Sequence, residues 1–229
     1  MKYSLITCVF LIMIFSCKDN IIQPIQPEPQ EPEQKEDVCT HLIRDYFLCD
    51  LHAGFIENDL LISPDPESYQ NVYSWNDSNP VQREKFMALA EKHGDLTYER
   101  NKTRMPDPTE SMAYAIDFLD IHIVSSSDWD EDHPKGTSLN DLFTLTVRSH
   151  YHYIRNGYVI PEGYYYTSYF PEISKPLTEL VEGDLWCLLG GRINLSLGRN
   201  RPSIVKQHDF TITLTTSSDP VILKCRKVF

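Results

Sequence analysis

The chain has 229 residues, 41% of them hydrophobic, 24% charged and 11% aromatic, with a formal net charge of −12. At about 100–200 residues per domain this is one main domain. The acidic balance argues against a nucleic-acid partner, which needs clustered Lys and Arg, and 13 Tyr, 10 Phe and 3 Trp are too much core-forming material for a disordered chain.

Lys2 precedes an apolar run from Leu5 to Phe15. The charge and the length are those of a secretory n-region and h-region, and the run is too short for a permanent membrane-spanning helix. Ile14-Phe15-Ser16-Cys17 then resembles the lipobox of bacterial lipoproteins, with a small residue before the cysteine that is lipidated. The resemblance implies a signal peptide over residues 1–16 and a mature N-terminus at Cys17, anchored by acyl chains at about 0.8 kcal/mol per buried methylene. Lys18-Asp19-Asn20 is similar to the charged tract that follows the lipidated cysteine in lipoproteins of the Bacteroidota, where acidic tracts favour display on the outer surface. The expected location is therefore the outer membrane, lipid-anchored and exposed at the cell surface, with its inner face as the alternative.

Composition changes abruptly after the anchor. Between residues 20 and 37, Pro24, Pro27, Pro29 and Pro32 alternate with Gln and Glu. Proline fixes φ and removes donors, so residues 17–37 read as the lipidated cysteine and a semi-extended tether that reaches roughly 55 Å at about 3.1 Å per residue. Taking the one Lys of the leader and the net −4 of the tether from the −12 total leaves −9 for residues 38–229. Anionic headgroups would repel such a domain.

Residues 38–229 are expected to form a single β-rich globular domain. One helix is written clearly: Asn79 caps it, Pro80 suits its first position and Gly94 closes it, with Val81, Phe86, Leu89 and Ala90 as its apolar stripe. Tyr114, Ile116 and Phe118 alternate with smaller or polar neighbours, and Ile121 and Ile123 continue after a phase shift at Leu119, as in a strand with a bulge. Phe143, Leu145 and Val147 alternate with Thr144 and Thr146. A short helical turn fits Leu177 to Glu182. Leu185–Leu189 and Arg192–Leu197 flank Gly190-Gly191, a dipeptide suited to a hairpin turn. Phe210, Ile212 and Leu214, a turn at Ser217 to Pro220, then Val221, Leu223 and Cys225 read as a C-terminal hairpin. The expected fold is mainly β, an antiparallel β-sandwich with one or two short α-helices.

With Cys8 in the leader and Cys17 lipidated, four cysteines remain: Cys39, Cys49, Cys187 and Cys225. An exported domain forms disulfides, and an even count of four allows three pairings. Cys39 with Cys49 and Cys187 with Cys225 is the preferred set; buried thiols are the alternative. His150 and His152, at i and i+2, would share a strand face, but no third metal ligand is fixed by spacing. Cys39, His41, Cys49 and His52 have zinc-like content without a standard spacing. Asp128, Asp130 and Asp132 alternate as in a calcium loop, yet His133 and Pro134 replace its turning glycine and Leu139 its closing glutamate, which favours a solvated acidic loop. No metal and no cofactor are expected.

No nucleophile elbow, zinc-protease helix or phosphate loop is present. Glu162, Glu172 and Glu182 are candidate partners for Asp184 in glycoside hydrolysis, at a separation the sequence does not set. The most unusual feature is aromatic: Tyr151, Tyr153, Tyr158, Tyr164, Tyr165, Tyr166 and Tyr169 crowd into one short stretch. Tyrosine combines an apolar ring with a polar tip and suits protein recognition and stacking on sugars. The alternative is a β-prone strand and loop packed on the sheet. Leader, tether and β-rich domain together resemble the uncharacterised surface lipoproteins of the Bacteroidota. The resemblance assigns no catalytic residue, and the first expectation is a non-catalytic binding or structural module that presents the Tyr-rich segment to a glycan or a surface protein. A glycan-directed exported hydrolase is the second expectation.

Overall fold

Strands form where every second residue is apolar, because successive side chains point to opposite faces. In chain order these are β1 (Asp45–Leu48), β2 (Leu51–Ile56), β3 (Asp59–Pro64), β4 (Gln70–Ser74), helix α1 (Pro80–His93), β5 (Met112–Tyr114), β6 (Phe118–Ser125), β7 (Thr144–Ser149), helix α2 (Tyr151–Arg155), β8 (Tyr165–Thr167), β9 (Phe170–Pro176), β10 (Leu188–Ser196), β11 (Gln207–Thr216) and β12 (Val221–Val228). The computed structural model describes residues 39–98, 112–159, 165–167, 170–204 and 206–229. The expected lipidation site Cys17, with the segments read as signal peptide and tether, lies outside the described residues.

The strands make two sheets. The larger runs β4-β1-β5-β10-β7-β9-β8, with β3 also pairing along β10 and β2 along β3; the smaller runs β12-β11-β6. Pairing is antiparallel except between β1 and β5. The main core lies where the inward rows of the two sheets meet: Phe47, Leu60, Ile62, Leu145, Ile193 and Leu195 of the larger, with Ile121, Ile123, Phe210, Ile212 and Leu214 of the smaller. A second core gathers around the helices, from Leu42, Ile43, Tyr46, Phe86, Ala90, Tyr153, Ile154 and Cys187. The fold is thus mainly β and sandwich-like, as expected.

Helix α1 begins and ends as its sequence dictates. The Asn79 side chain accepts from the Val81 N–H at 3.0 Å, and Gly94 adopts a left-handed φ of 79° with its N–H on the last-turn carbonyls. Its buried face is Phe86, Ala90 and His93. Val81, placed on the apolar stripe from sequence, is 57% exposed, and the buried stripe begins a turn later at Phe86. The C-terminal hairpin also forms, with Phe210 opposite Cys225 and Ile212 opposite Leu223.

Three local expectations change. Tyr114 and Phe118 do not share a strand: β5 belongs to the larger sheet and β6 to the smaller. The bulge itself is present, since β6 slips by one residue at Leu119 against Thr215 and Thr216, leaving Leu119 41% exposed. Gly190-Gly191 is not a hairpin turn. Both glycines have positive φ, 60° and 62°, but β10 runs on through them with a register break between Leu188 and Ile193. The reason is Tyr114: its hydroxyl donates to the Gly191 carbonyl at 2.7 Å, and a Cβ on Gly191 would stand 2.5 Å from that oxygen. Residues 150–155, read as a strand, form α2 instead, where the Ile154 N–H bonds the His150 carbonyl and Tyr153 and Ile154 enter the second core. Burial of those two side chains overrides the β-propensity of the tyrosines.

Gly191→Ala is therefore expected to destabilise the domain by about 1–3 kcal/mol, the range for a side chain held at a disallowed φ. Gly54→Ala, where an added Cβ meets nothing within 4 Å, should stay within about 0.5 kcal/mol. Urea denaturation of both variants checks the contrast.

Candidate functional site

The outward rows of the larger sheet are polar. In β10, Arg192, Asn194 and Ser196 alternate with buried Ile193 and Leu195. Register carries one row across five strands: Gly54 opposite Leu61, Leu61 opposite Asn194, Asn194 opposite Thr146 and Thr146 opposite Ser174. The next row brings His52 opposite Ser63 and Arg148 opposite Glu172, with Arg192 between them.

Together these rows line two adjoining concavities that share Leu61 and Arg192. One, of about 460 Å³, is bounded by Thr146, Arg148, Glu172, Gly190 and Asn194. The other, of about 330 Å³, is bounded by His52, Gly54 and Ser63. Gly54 and Gly190 contribute no side chain, which keeps the floor open. Arg148 lies 3.7 Å from Glu172, and the Thr146 and Ser174 hydroxyls are 3.1 Å apart. Arg192 makes no ion pair among the described residues. The Asn194 amide oxygen is buried beneath the groove surface, without a hydrogen-bond partner among the described residues. Leaving such an acceptor unpaired costs about 1–3 kcal/mol.

The tyrosine-rich segment divides. Tyr151 is half-buried against Trp186 (4.8 Å between ring centroids) and His152 (5.4 Å), and Tyr153 is buried beside Tyr158. Neither forms the strand face expected of them, since α2 turns both inward. Tyr165 and Tyr166 belong to β8, in register with Glu172 and Pro171, so the backbone of this segment borders the groove. Tyr164, Tyr169 and Glu162 lie outside the described residues.

The remaining candidates serve the fold. Asp184 is fully buried, accepting from His152 at 2.9 Å, Lys175 at 2.7 Å and the Val181 N–H at 3.0 Å. Burial alone raises its carboxyl, but His152, Lys175 and the Val181 N–H outweigh that and hold it below the usual carboxylate range. It is not paired with another carboxylate: Glu172 faces the groove and Glu182 is exposed. Asp117 is clasped in the same way by His93 at 3.0 Å and Lys92 at 2.7 Å, with Tyr46 on the other nitrogen of His93. Asp95 receives the Leu42 and Ile43 N–H groups and the Tyr158 hydroxyl. Nothing in the sequence marked His93, Asp95 or Asp117 as buried. His150 is buried as well, and burial pushes its pKa down to about 3.

The expected disulfides are absent: Cys39, Cys49, Cys187 and Cys225 are thiols. Cys49 follows β1 directly and packs against the first core, whereas Cys39 lies in the segment that leads into β1. Cys187 sits inside the second core and Cys225 on the edge of the first. The zinc-like set is dispersed too: His41 bonds the Asp95 carbonyl, Cys49 packs against the first core, and His52 lines the groove. His150 and His152 do not share a strand face, because α2 begins between them. The acidic loop uses its carboxylates internally, with Asp128 on the Lys135 N–H and Asp130 on the N–H groups of Asp132 and His133. No group of three metal-ligating side chains occurs among the described residues. Nor is any helix among them long and apolar enough to cross a membrane.

Comparison with family models, with curated proteins and with solved structures gives no match.

Asp184→Asn is expected to destabilise the domain by about 3 kcal/mol at pH 7, as for a broken buried ion pair. Because the folded pKa is depressed, the native contribution is present above the ordinary value near 4 and disappears as pH falls through the folded value. The gap between wild type and variant, followed by thermal melts across pH, should therefore close on the acid side.

Proposed function

We propose that this protein is a lipid-anchored surface lipoprotein whose β-rich domain is a non-catalytic binding module, and that the outer face of its larger sheet receives a glycan. The polar row of Asn194, Thr146 and Ser174 along the groove carries this reading. Asn194 and Thr146 line the open groove, where an amide and a hydroxyl offer donors and acceptors to a ligand hydroxyl, and the Thr146–Ser174 hydroxyl pair extends that row. Leu61 adds apolar surface for the carbon face of a sugar ring.

The strands under the groove also favour a hydroxylated ligand over an extended peptide. β3, β10 and β7 are paired on both sides, so their backbone groups are already bonded and a peptide has no free edge to extend there. The charged groups support binding rather than hydrolysis. Glu172 is the one carboxylate lining the groove among the described residues, and it stands beside Arg148, whereas glycoside hydrolysis uses two carboxyl groups flanking the bond. Strand β8 flanks the site through the pairing of Tyr165 with Glu172. Lipid anchoring at Cys17 would display this domain at the cell surface.

The test is glycan capture by the full-length chain in detergent micelles. Gly54→Trp, which adds bulk where the backbone has room for it, should weaken capture at least tenfold while leaving the melting temperature unchanged. Full capture by that variant, or none by the wild type, removes the reading.

A further inference from the structure

The groove is charged against the grain of its domain. Residues 38–229 carry −9, yet two arginines and a single carboxylate line the groove among the described residues. Arg148 is engaged with Glu172, which leaves the Arg192 guanidinium as the cation without an ion-pair partner there. Arg192 lies where the two concavities meet, one strand position from the buried Asn194 oxygen's row, and its charge is felt by the half-exposed Tyr69 hydroxyl.

Resting on the glycan reading above, we infer that the groove selects an acidic sugar, with Arg192 holding the carboxylate of a uronic-acid residue and the Asn194 amide donating to a hydroxyl of the same or the adjoining ring. The planar guanidinium presents two parallel N–H donors that match a carboxylate and fix its orientation. A neutral sugar satisfies Asn194 but leaves the arginine idle. An acidic peptide supplies the carboxylate but not the ring hydroxyls, and the paired strands beneath offer its backbone nothing. Self-repulsion between an acidic polysaccharide and the rest of an acidic domain confines such a ligand to this face.

The experiment titrates the full-length chain in micelles with three probes: an oligogalacturonate, the same oligosaccharide with its carboxyl groups reduced to alcohols, and an oligoglutamate of equal charge. Calorimetry should show the oligogalacturonate binding at least tenfold more tightly than either control, the factor that follows from losing one charge-assisted hydrogen-bond pair. Arg192→Met should bring the two sugars to equal affinity with an unchanged melting temperature, and Arg192→Lys should recover part of the difference, because it restores the charge without the fork.

Equal binding of the acidic and reduced sugars by the wild type overturns the acidic-sugar assignment while leaving the groove reading in place. Equal binding of the oligoglutamate replaces it with a general anion site. Acidic-sugar binding that survives both Arg192→Met and Gly54→Trp overturns the groove reading itself, and an absence of binding by every probe overturns both.

Discussion

The geometry of the larger sheet depends on one phenol. Tyr114 of β5 occupies the space that a side chain at residue 191 would fill, and its hydroxyl donates to the Gly191 carbonyl. Two consecutive residues with left-handed φ are thereby held inside a strand, where alone they would favour a turn. The register of β10 breaks at this point, so Leu188 pairs with Ser149 before the break and Ile193 with Val147 after it. Everything placed on the outer face by β10, Arg192 and Asn194 included, takes its position from that kink. Burial of the phenol, together with the neighbouring Cys49 thiol, raises its pKa far beyond the neutral range, so the donor stays protonated.

The helix ends and the C-terminal hairpin were legible because each is written locally. Asn79, Pro80 and Gly94 act within one turn of α1, and Phe210, Ile212 and Leu214 alternate over a single face of β11. The failures are non-local. Gly190-Gly191 has the composition of a turn, and only the arrival of Tyr114 from a strand distant in sequence makes it a kink. His150 to Arg155 alternates like a strand, but Tyr153 and Ile154 gain more from burial beside α1, reached through helical geometry, than from a pleated surface. The preferred disulfides fell for the same reason. Spacing in sequence said nothing about Cys187 and Cys225 entering different cores.

The candidate groove was half legible. Alternation in Arg192–Leu197 and in Thr144–Arg148 already separates a polar face from an apolar one, but it does not say that these two strands are neighbours or that Gly54 opens the floor beside them. Tyrosine density drew attention to residues 151–169, and the structure turns its first part inward while pairing Tyr165 with Glu172 at the groove's edge. Buried carboxylates were the least legible. Asp95, Asp117 and Asp184 look like ordinary surface acids in sequence, and their burial rests on partners that come from other elements.

The broken register of β10 also divides the strand in time. From Ile193 to Ser196 it is flanked by β3 on one side and β7 on the other, so its amides are released to solvent only when both ladders open, close to global unfolding. Around Gly190 and Gly191 the ladder is interrupted, and amide exchange there needs only a local opening. Arg192 stands at the seam between the slow and the fast half. The guanidinium is thus carried on a backbone able to shift a little without disturbing the sheet, while Asn194 beside it is held by the most protected part of the strand.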